Sequence, residues 1–516
     1  MNDAAVANRG PITLGLMLST IMSILDTTVV NVSMPHMQGT LSASSEQITW
    51  VVTSYIVATA VMTPITGWLA NRVGLRTLVL IAVAGFTVAS MLCGIAANML
   101  QMVVFRALQG VASAPIAPIC QAVLLNINPP ERYGRATALF MMGNVAAPVV
   151  GPIVGAWLTE SLSWRWCFYI NLPAGICSIL LLWTFMPRAA PQARRFDFLG
   201  FGSLALAIAA FQLMLDRGPS QDWFGSREIC TEAVLAAASF YVFVAHVLTT
   251  QRPLFDARLA RDRNFVSTTI LSFFLNMPLY AGITLLPLMM QGLMGYSAMV
   301  SGLMSVPRGL LMMATLVIIG RLDAIVDRRV LVATGLFFCI LGFWRMTGFS
   351  LSMGTQSIVW AGALQGIGQG IIFVPLATLA FATVDPTLRP EATAIANLVR
   401  NLAGSLGIAL MQALTAFNTQ AMHAALAAHI TPGSLALHTL PNTLPLHSAK
   451  GALALNAEIT RQAMLVASID DFWLMIALGV VCAPLLLLLR KPRPGAAVRA
   501  TGSDDAHSGA TPEIVP

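Results

Sequence analysis

Between Arg9 and Glu46 the chain carries a single charged side chain, Asp26, set in the run ILDTTVVNVSMP. In a hydrocarbon layer such a carboxylate costs roughly 2.5–3.5 kcal/mol on insertion scales, so it faces a bundle interior and marks function by default. Ser19, Ser23, Asp26 and Ser33 recur at steps close to 3.6 and share one helical stripe. A second stripe, Arg106, Gln109, Ser113 and Cys120, brings a guanidinium. Counted from His36 and Asn98, at one end of their helices, Asp26 and Arg106 lie roughly 15 and 12 Å deep. Charges at like depth can pair through a bidentate or water-bridged contact. The chemistry open to such a pair is reversible protonation. Burial opposes the ionised form of a carboxyl and a nearby guanidinium favours it, so proton occupancy should follow access and bound ligand. Asp26 and Arg106 are therefore the candidate proton-coupling residues, with a structural brace between two helices as the alternative.

The elements that hold these residues follow from composition. The 516 residues are 57% hydrophobic and only 10% charged, with mean hydropathy +0.76. That belongs to a polytopic membrane protein rather than a soluble one. A net charge of +7 on so apolar a chain reflects membrane topology and gives no reason to expect nucleic acid. The seven cysteines fall mostly in apolar runs without a CxxC pair, which argues against a disulfide framework or a zinc site. The apolar stretch 11–35 is too long for a signal core and lacks a basic leader, so it reads as the first span.

A span needs roughly 20 apolar residues. Runs of that kind predict fourteen helices, near 12–35, 47–69, 77–96, 99–122, 136–157, 165–186, 198–214, 229–249, 265–290, 298–320, 330–348, 355–381, 392–416 and 470–489. With the N-terminus inside, the inner segments hold Arg9, Arg72, Arg76, Arg132, Arg135, Arg188, Arg194, Arg195, Arg252, Arg258, Arg261, Arg263, Arg321, Arg328, Arg329, Arg389, Arg490, Lys491, Arg493 and Arg499. The short outer loops are almost bare of lysine and arginine. This positive-inside bias places both termini in the cytoplasm.

The chain also contains itself at an offset near 256. ALQG at 107–110 recurs at 363–366, RATA at 135–138 matches EATA at 391–394, and GWLANRVGLRTLV from Gly67 has an echo in GRLDAIVDRRVLV from Gly320. Six helices, two inserted helices and six more is the expected order. The expected organisation is a tail (1–10), a first bundle (11–187), the inserted pair with its loops (188–263), a second bundle (264–489) with an outer loop at 418–469, and a tail (490–516). Parallel halves of this kind hold their substrate between them near the midplane. Arg106 has Gly362 as its repeat counterpart, and helix 9 carries no acid. Fold alone would ask for the charges in both halves, so the asymmetry points to function.

LDTTVVNVSMP, GWLANRVGLR, FRALQG, APVVGPIVGAW, WRWCFYINLPAG, FDFLG, MLDRGPSQDWF and LVRNLAGSLG, in that order over residues 12–490, resemble the motifs of EmrB/QacA-type fourteen-helix drug:proton antiporters of the major facilitator superfamily. EmrB-like inner-membrane subunits of tripartite pumps fit best. The resemblance implies an all-α integral membrane protein of the bacterial inner membrane with the major facilitator fold, expelling lipophilic toxic compounds by alternating access. The alternative is a dedicated exporter of one endogenous molecule, such as a siderophore or an aromatic acid. Protons and membrane lipids are implied partners, the proton gradient replaces any cofactor, and a periplasmic adaptor of the EmrA type with an outer-membrane channel completes the set. Without HExxH, GxSxG or a P-loop, enzyme chemistry is not expected.

Gly143, Pro148, Gly151, Pro152 and Gly155 resemble the antiporter signature, and Gly and Pro give a membrane helix close packing and a bend. Gly67, Asn71, Arg72, Gly74 and Arg76 resemble the cytoplasmic loop motif that latches one side of the family's fold. Asn71 stands where that motif usually has an acid, which weakens the case for a charge relay. Candidate cavity residues are Met22, Asn31, Gln109, Ser113, Asn397 and Arg400, the last two with a helix-stabilising role equally open. The Met-rich stretches (Met141, Met142, Met277, Met289, Met290, Met312, Met313) fit core packing better than an adaptable cavity. Gly362, Gly366 and Gly370 read as a packing stripe. The segment 418–469, with His423, His429, His438 and His447, reads as an outer loop suited to partner contacts.

Overall fold

The computed structural model describes residues 8–129, 132–188, 196–250, 253–323, 325–429 and 449–486. Among these, fourteen helices are long and apolar enough to cross a membrane: α1 (Arg9–Thr40), α2 (Gln47–Val73), α3 (Leu75–Ile95), α4 (Met99–Ile127), α5 (Tyr133–Ser161), α6 (Trp166–Phe185), α7 (Phe198–Ser220), α8 (Arg227–Thr249), α9 (Arg263–Gly292), α10 (Met299–Leu322), α11 (Arg328–Thr347), α12 (Thr355–Phe381), α13 (Arg389–Ala428) and α14 (Lys450–Leu485). Helices satisfy every backbone group internally, which hydrocarbon demands. Their ends are fixed by polar caps: the Asn98 side chain accepts from Gln101 N at 2.9 Å at the head of α4, and Asp197 accepts from Gly200 N at 2.8 Å at the head of α7. Gly74 separates α2 from α3 at φ +84°, a conformation glycine adopts without steric cost. An even number of crossings returns the two ends to one side, called here the terminal face.

Each half buries its own apolar core. In the first, Leu16, Phe86, Ile119, Leu124 and Leu182 pack together; in the second, Phe343, Ile358, Phe472 and Met475 do so. Helix α8 leaves Tyr241 and Leu248 largely exposed, as a lipid-facing helix must. Helix α7 seats on both halves, accepting from Thr53 of α2 through Asp216 and donating from Gln212 Nε2 to Ser405 Oγ of α13 at 3.1 Å.

The hydrogen bonds that join the halves gather near the terminal face. Asn71 Nδ2 donates to Glu391 Oε1 at 3.3 Å, Arg389 Nη1 to Asn126 Oδ1 at 2.8 Å, and Asn397 Nδ2 to Gln121 Oε1 at 3.2 Å. Close approaches continue to mid-depth: a Cβ on Gly320 would meet Ala138 Cβ at 2.7 Å, and one on Gly309 would meet Val149 Cγ2 at 2.3 Å. The structure is thus closed at its terminal face.

One sequence expectation changes. Helices α13 and α14 run on through much of 418–469, so this segment is not a loop throughout. At 40 and 36 residues they are about 60 and 54 Å long, against a hydrocarbon layer of about 30 Å. The Ala-rich stretches NTQAMHAALAA and AKGALALNAEI are strong helix formers too polar for a span, so the hydropathy criterion passed over them. His423 Nε2 meets Asn456 Oδ1 at 3.0 Å, linking the two extensions. His438, His447, Arg194, Arg195, Arg252 and the tail 490–516 lie outside the described residues.

Candidate functional site

The site is built around α1. Asp26 is fully buried, as are Arg106 and Gln109. Arg106 Nη1 donates to Asp26 Oδ2 at 2.6 Å. Gln109 Nε2 and Asn171 Nδ2 each donate to Asp26 Oδ1 at 2.9 Å. Two helices, α4 twice and α6 once, therefore supply three donors to one carboxylate of α1. The charge-assisted contact of 2.6 Å is at the strong end for N–H···O.

Arg106 is itself held in place. Its Nε donates to Val51 O at 2.9 Å, its Nη1 also to Gln109 Oε1 at 2.8 Å, and the Tyr55 ring lies 4.3 Å from Cζ. A polar chain continues through the hydroxyls of Tyr55, Ser113 and Ser23, with Tyr55–Ser113 at 2.7 Å and Ser23–Ser113 at 2.6 Å. On the other side Asn171 Nδ2 also reaches Ser90 Oγ at 2.9 Å, and Ser90 Oγ donates to Phe168 O at 2.9 Å. The pairing expected from depth is present, and so is the Ser23–Asp26 stripe.

Glycines set how α1 is carried. A Cβ on Gly151 would strike Thr28 Oγ1 at 2.0 Å, and one on Gly155 would come within 3.1 Å of Val29 Cα. Gly143 faces Ile21 and Met17 in the same way. The signature of α5 is therefore a bearing surface for α1 along the turns that flank Asp26, with Pro148 exposed and Pro152 half-buried beside it.

The remaining candidates separate. Gln109 and Ser113 belong to the Asp26 network. Met22 is 2% exposed within the first-half core, so it packs rather than lines an open surface. Asn31 is exposed. Asn397 ties α13 to α4 through Gln121, and Arg400 donates to Asn397 Oδ1, so this pair serves the junction between the halves. Met141, Met277, Met289, Met290 and Met312 are buried in cores, while Met142 and Met313 are half-buried. Gly366 and Gly370 admit the α10 backbone, at 2.2 Å from Arg308 O and 2.8 Å from Met312 O for an added Cβ.

At the terminal face, Gly67 lets Glu391 approach: an added Cβ would lie 2.5 Å from its Cγ. The acid missing at Asn71 is thus met from the other half. Arg76 stacks on Trp183 with Cζ 5.5 Å from the ring, and Arg72 is exposed. The echo loop mirrors the arrangement, with Asp323 against Gly134 and paired to Arg328 Nε at 3.1 Å.

Residues 16–408 match the family model described as the Major Facilitator Superfamily. The chain belongs to that superfamily. It is 36% identical over 488 residues to the fatty acid resistance protein FarB of Neisseria gonorrhoeae, covering 93% of this chain and 96% of FarB. It is 32% identical over 486 residues to the multidrug export protein EmrB of Escherichia coli K12, covering 93% and 95%. Among solved structures it resembles the proton:xylose symporter XylE, with a TM-score of 0.60 at 15% identity over 94% of this chain and 96% of that one. The fold is that of major facilitators, and the protein is a transporter rather than an enzyme.

Asn171, Ser90, Tyr55 and Glu391 escaped the sequence reading. Asn171 had a signal, a lone amide in the apolar run YINLPAG. Two polar groups of the second half were also passed over: Asp471, buried and accepting from Thr415, and Arg308 in α10, half-buried.

Proposed function

We propose that this major facilitator is a proton-coupled exporter of lipophilic toxic compounds, alternating access between its halves in a bacterial inner membrane. The observation that carries the reading is Asp26, a sealed carboxylate whose oxygens accept from Arg106, Gln109 and Asn171. Protonation removes the charge those donors address and loosens α1 from α4 and α6. Because α1 bears on Gly151 and Gly155 of α5, and α5 meets α10 at Val149 and Gly309, such a release has a packed route to the second half. One proton crossing 150 mV supplies about 3.5 kcal/mol, worth roughly two to three decades of concentration.

Relatives described as a multidrug export protein and a fatty acid resistance protein fit efflux. The arginine bias supports cytoplasmic termini, which makes the terminal face the inner one. The projecting ends of α13 and α14 then extend outward, where a periplasmic adaptor and an outer-membrane channel would complete a tripartite pump. The division into bundles at 11–187 and 264–489 follows from the repeat.

Export by wild type and Asp26→Asn across a panel of lipophilic drugs, with and without an adaptor of the EmrA type, tests this. Wild type should export against the gradient, Asp26→Asn should bind drug without concentrating it, and the adaptor should carry drug past the outer membrane. Gradient-driven export by Asp26→Asn would leave the pair as a structural brace.

A further inference from the structure

The offset of 256 maps the first-half site onto the second residue by residue. Asp26 corresponds to Gly282, Arg106 to Gly362, and Gln109 to Gln365. The charged pair is gone from those positions, but a cation has entered from another helix. Arg308 stands in α10, nine residues from Met299 at its start, about 14 Å along the axis. Its Cβ lies 3.7 Å from where a Cβ on Gly362 would stand, and its backbone nests against Gly366. The side chain thus occupies the neighbourhood where repeat symmetry would place an arginine on α12.

Arg308 does not face lipid. The exposed residues Leu303, Leu310 and Val317 mark the lipid stripe of α10, and at 100° per residue Arg308 lies about 150° around the helix from them. It shares its face with Ser301, Met312 and Ile319, all buried. Its Nη2 is sealed from solvent and has no hydrogen-bond partner among the described residues. Among the described residues no carboxylate lies within ion-pair distance of it. Two more sealed polar atoms without a partner among the described residues lie on the same two helices: Ser301 Oγ, two turns from Arg308 along α10, and Gln369 Nε2, one turn along α12 from Gly366. Arg400, a second cation at depth, is bonded to an amide and not an acid.

A guanidinium left uncompensated inside a membrane bundle is costly and is normally matched by an opposite charge. In the first half Asp26 provides it. In the second half the acids Asp323 and Glu391 sit at the terminal face, and Asp471 is bonded to Thr415. We infer that Arg308 is the anchor for an anionic substrate, the carboxylate of an amphipathic acid, whose charge completes the second half as Asp26 completes the first. The guanidinium offers planar donors matched to a carboxylate, and the half-buried Met142 and Val145 of α5 and Ile367 of α12, on the helices that flank α10, offer apolar surface to an alkyl tail. This deepens the efflux reading by naming a substrate class and a residue that selects it.

Equilibrium binding tests it without a proton gradient, so it can fail separately from proton coupling. Purified full-length wild type, Arg308→Gln and Arg308→Lys in lipid nanodiscs are titrated with dodecanoate, dodecan-1-ol and dodecyltrimethylammonium. Arg308→Gln should weaken dodecanoate at least tenfold and leave dodecanol within twofold, while Arg308→Lys recovers part of the loss. Equal losses for all three probes would mean a folding defect or a purely structural arginine, and unchanged dodecanoate affinity would mean another anchor; either overturns the inference. Repeating the titration in zwitterionic and phosphatidylglycerol-rich discs separates sources of the anion. A substrate site gives the same ratio in both, whereas an effect that vanishes with phosphatidylglycerol assigns Arg308 to a lipid headgroup and also overturns it.

Discussion

Gly67→Ala puts a methyl group at a tight approach between the halves, against the backbone of α13. The added carbon would lie 2.5 Å from Glu391 Cγ, 2.8 Å from its Cα and 3.1 Å from its Cβ. The Cγ can swing aside; the Cα belongs to the backbone of α13 and cannot. Restoring an ordinary contact of about 3.4 Å to that atom requires α2 and α13 to separate by about 0.6 Å, and overpacking of this kind costs roughly 1–3 kcal/mol. The contact exists only with the terminal face closed, so the cost falls on that state alone. The open-to-closed ratio should then rise about 5- to 150-fold. Spin labels at Thr77 and Pro386, both exposed and at the terminal ends of opposite halves, report it by pulsed dipolar spectroscopy as a growing population at longer distance. Gly407→Ala is the control: its Cβ would meet Met277 O at 2.3 Å inside the second half. It should lower thermal stability and leave the distance unchanged. A Gly67→Ala protein that melts earlier but keeps the wild-type distance distribution would refute the assignment of this contact as a latch.

Asn71→Asp should open the same face, because it sets a carboxylate against buried Glu391, and juxtaposed like charges cost several kcal/mol; adding Glu391→Gln should restore the closed distance. Arg106→Ala strands Asp26 with two amide donors, and breaking a buried pair costs about 3–5 kcal/mol, so thermal melting should fall sharply and recover in part when Asp26→Asn is combined with it. Asp197→Ala removes the cap of α7 and the 2.9 Å contact to His246 Nε2 of α8. Loss of a cap costs about 1 kcal/mol, and limited proteolysis between α7 and α8 should quicken while drug binding is kept.

Much of this was legible in the chain because a membrane makes a simple demand. Long apolar runs separated by arginine-bearing turns gave all fourteen helices, and two polar stripes at 3.6-residue spacing gave Asp26, Arg106 and Gln109. Asn171 and Ser90 were harder, since short polar side chains are tolerated in membrane helices and a single one carries no period. The outer extensions of α13 and α14 were missed for the opposite reason: their alanines favour helix but do not reach span hydropathy. Glu391 and Arg308 depend on which helices meet, which pattern within one helix does not encode. Met22 was misplaced because position on the correct helix says nothing of which neighbour covers it.

The most direct test of the central claim is proton movement itself. In proteoliposomes with a trapped pH indicator, adding an exported drug to the wild-type protein should drive an opposing proton flux. Asp26→Asn should bind the drug with no flux above empty vesicles. An Asp26→Asn protein that still moves protons in step with drug would contradict the account, whatever its structure.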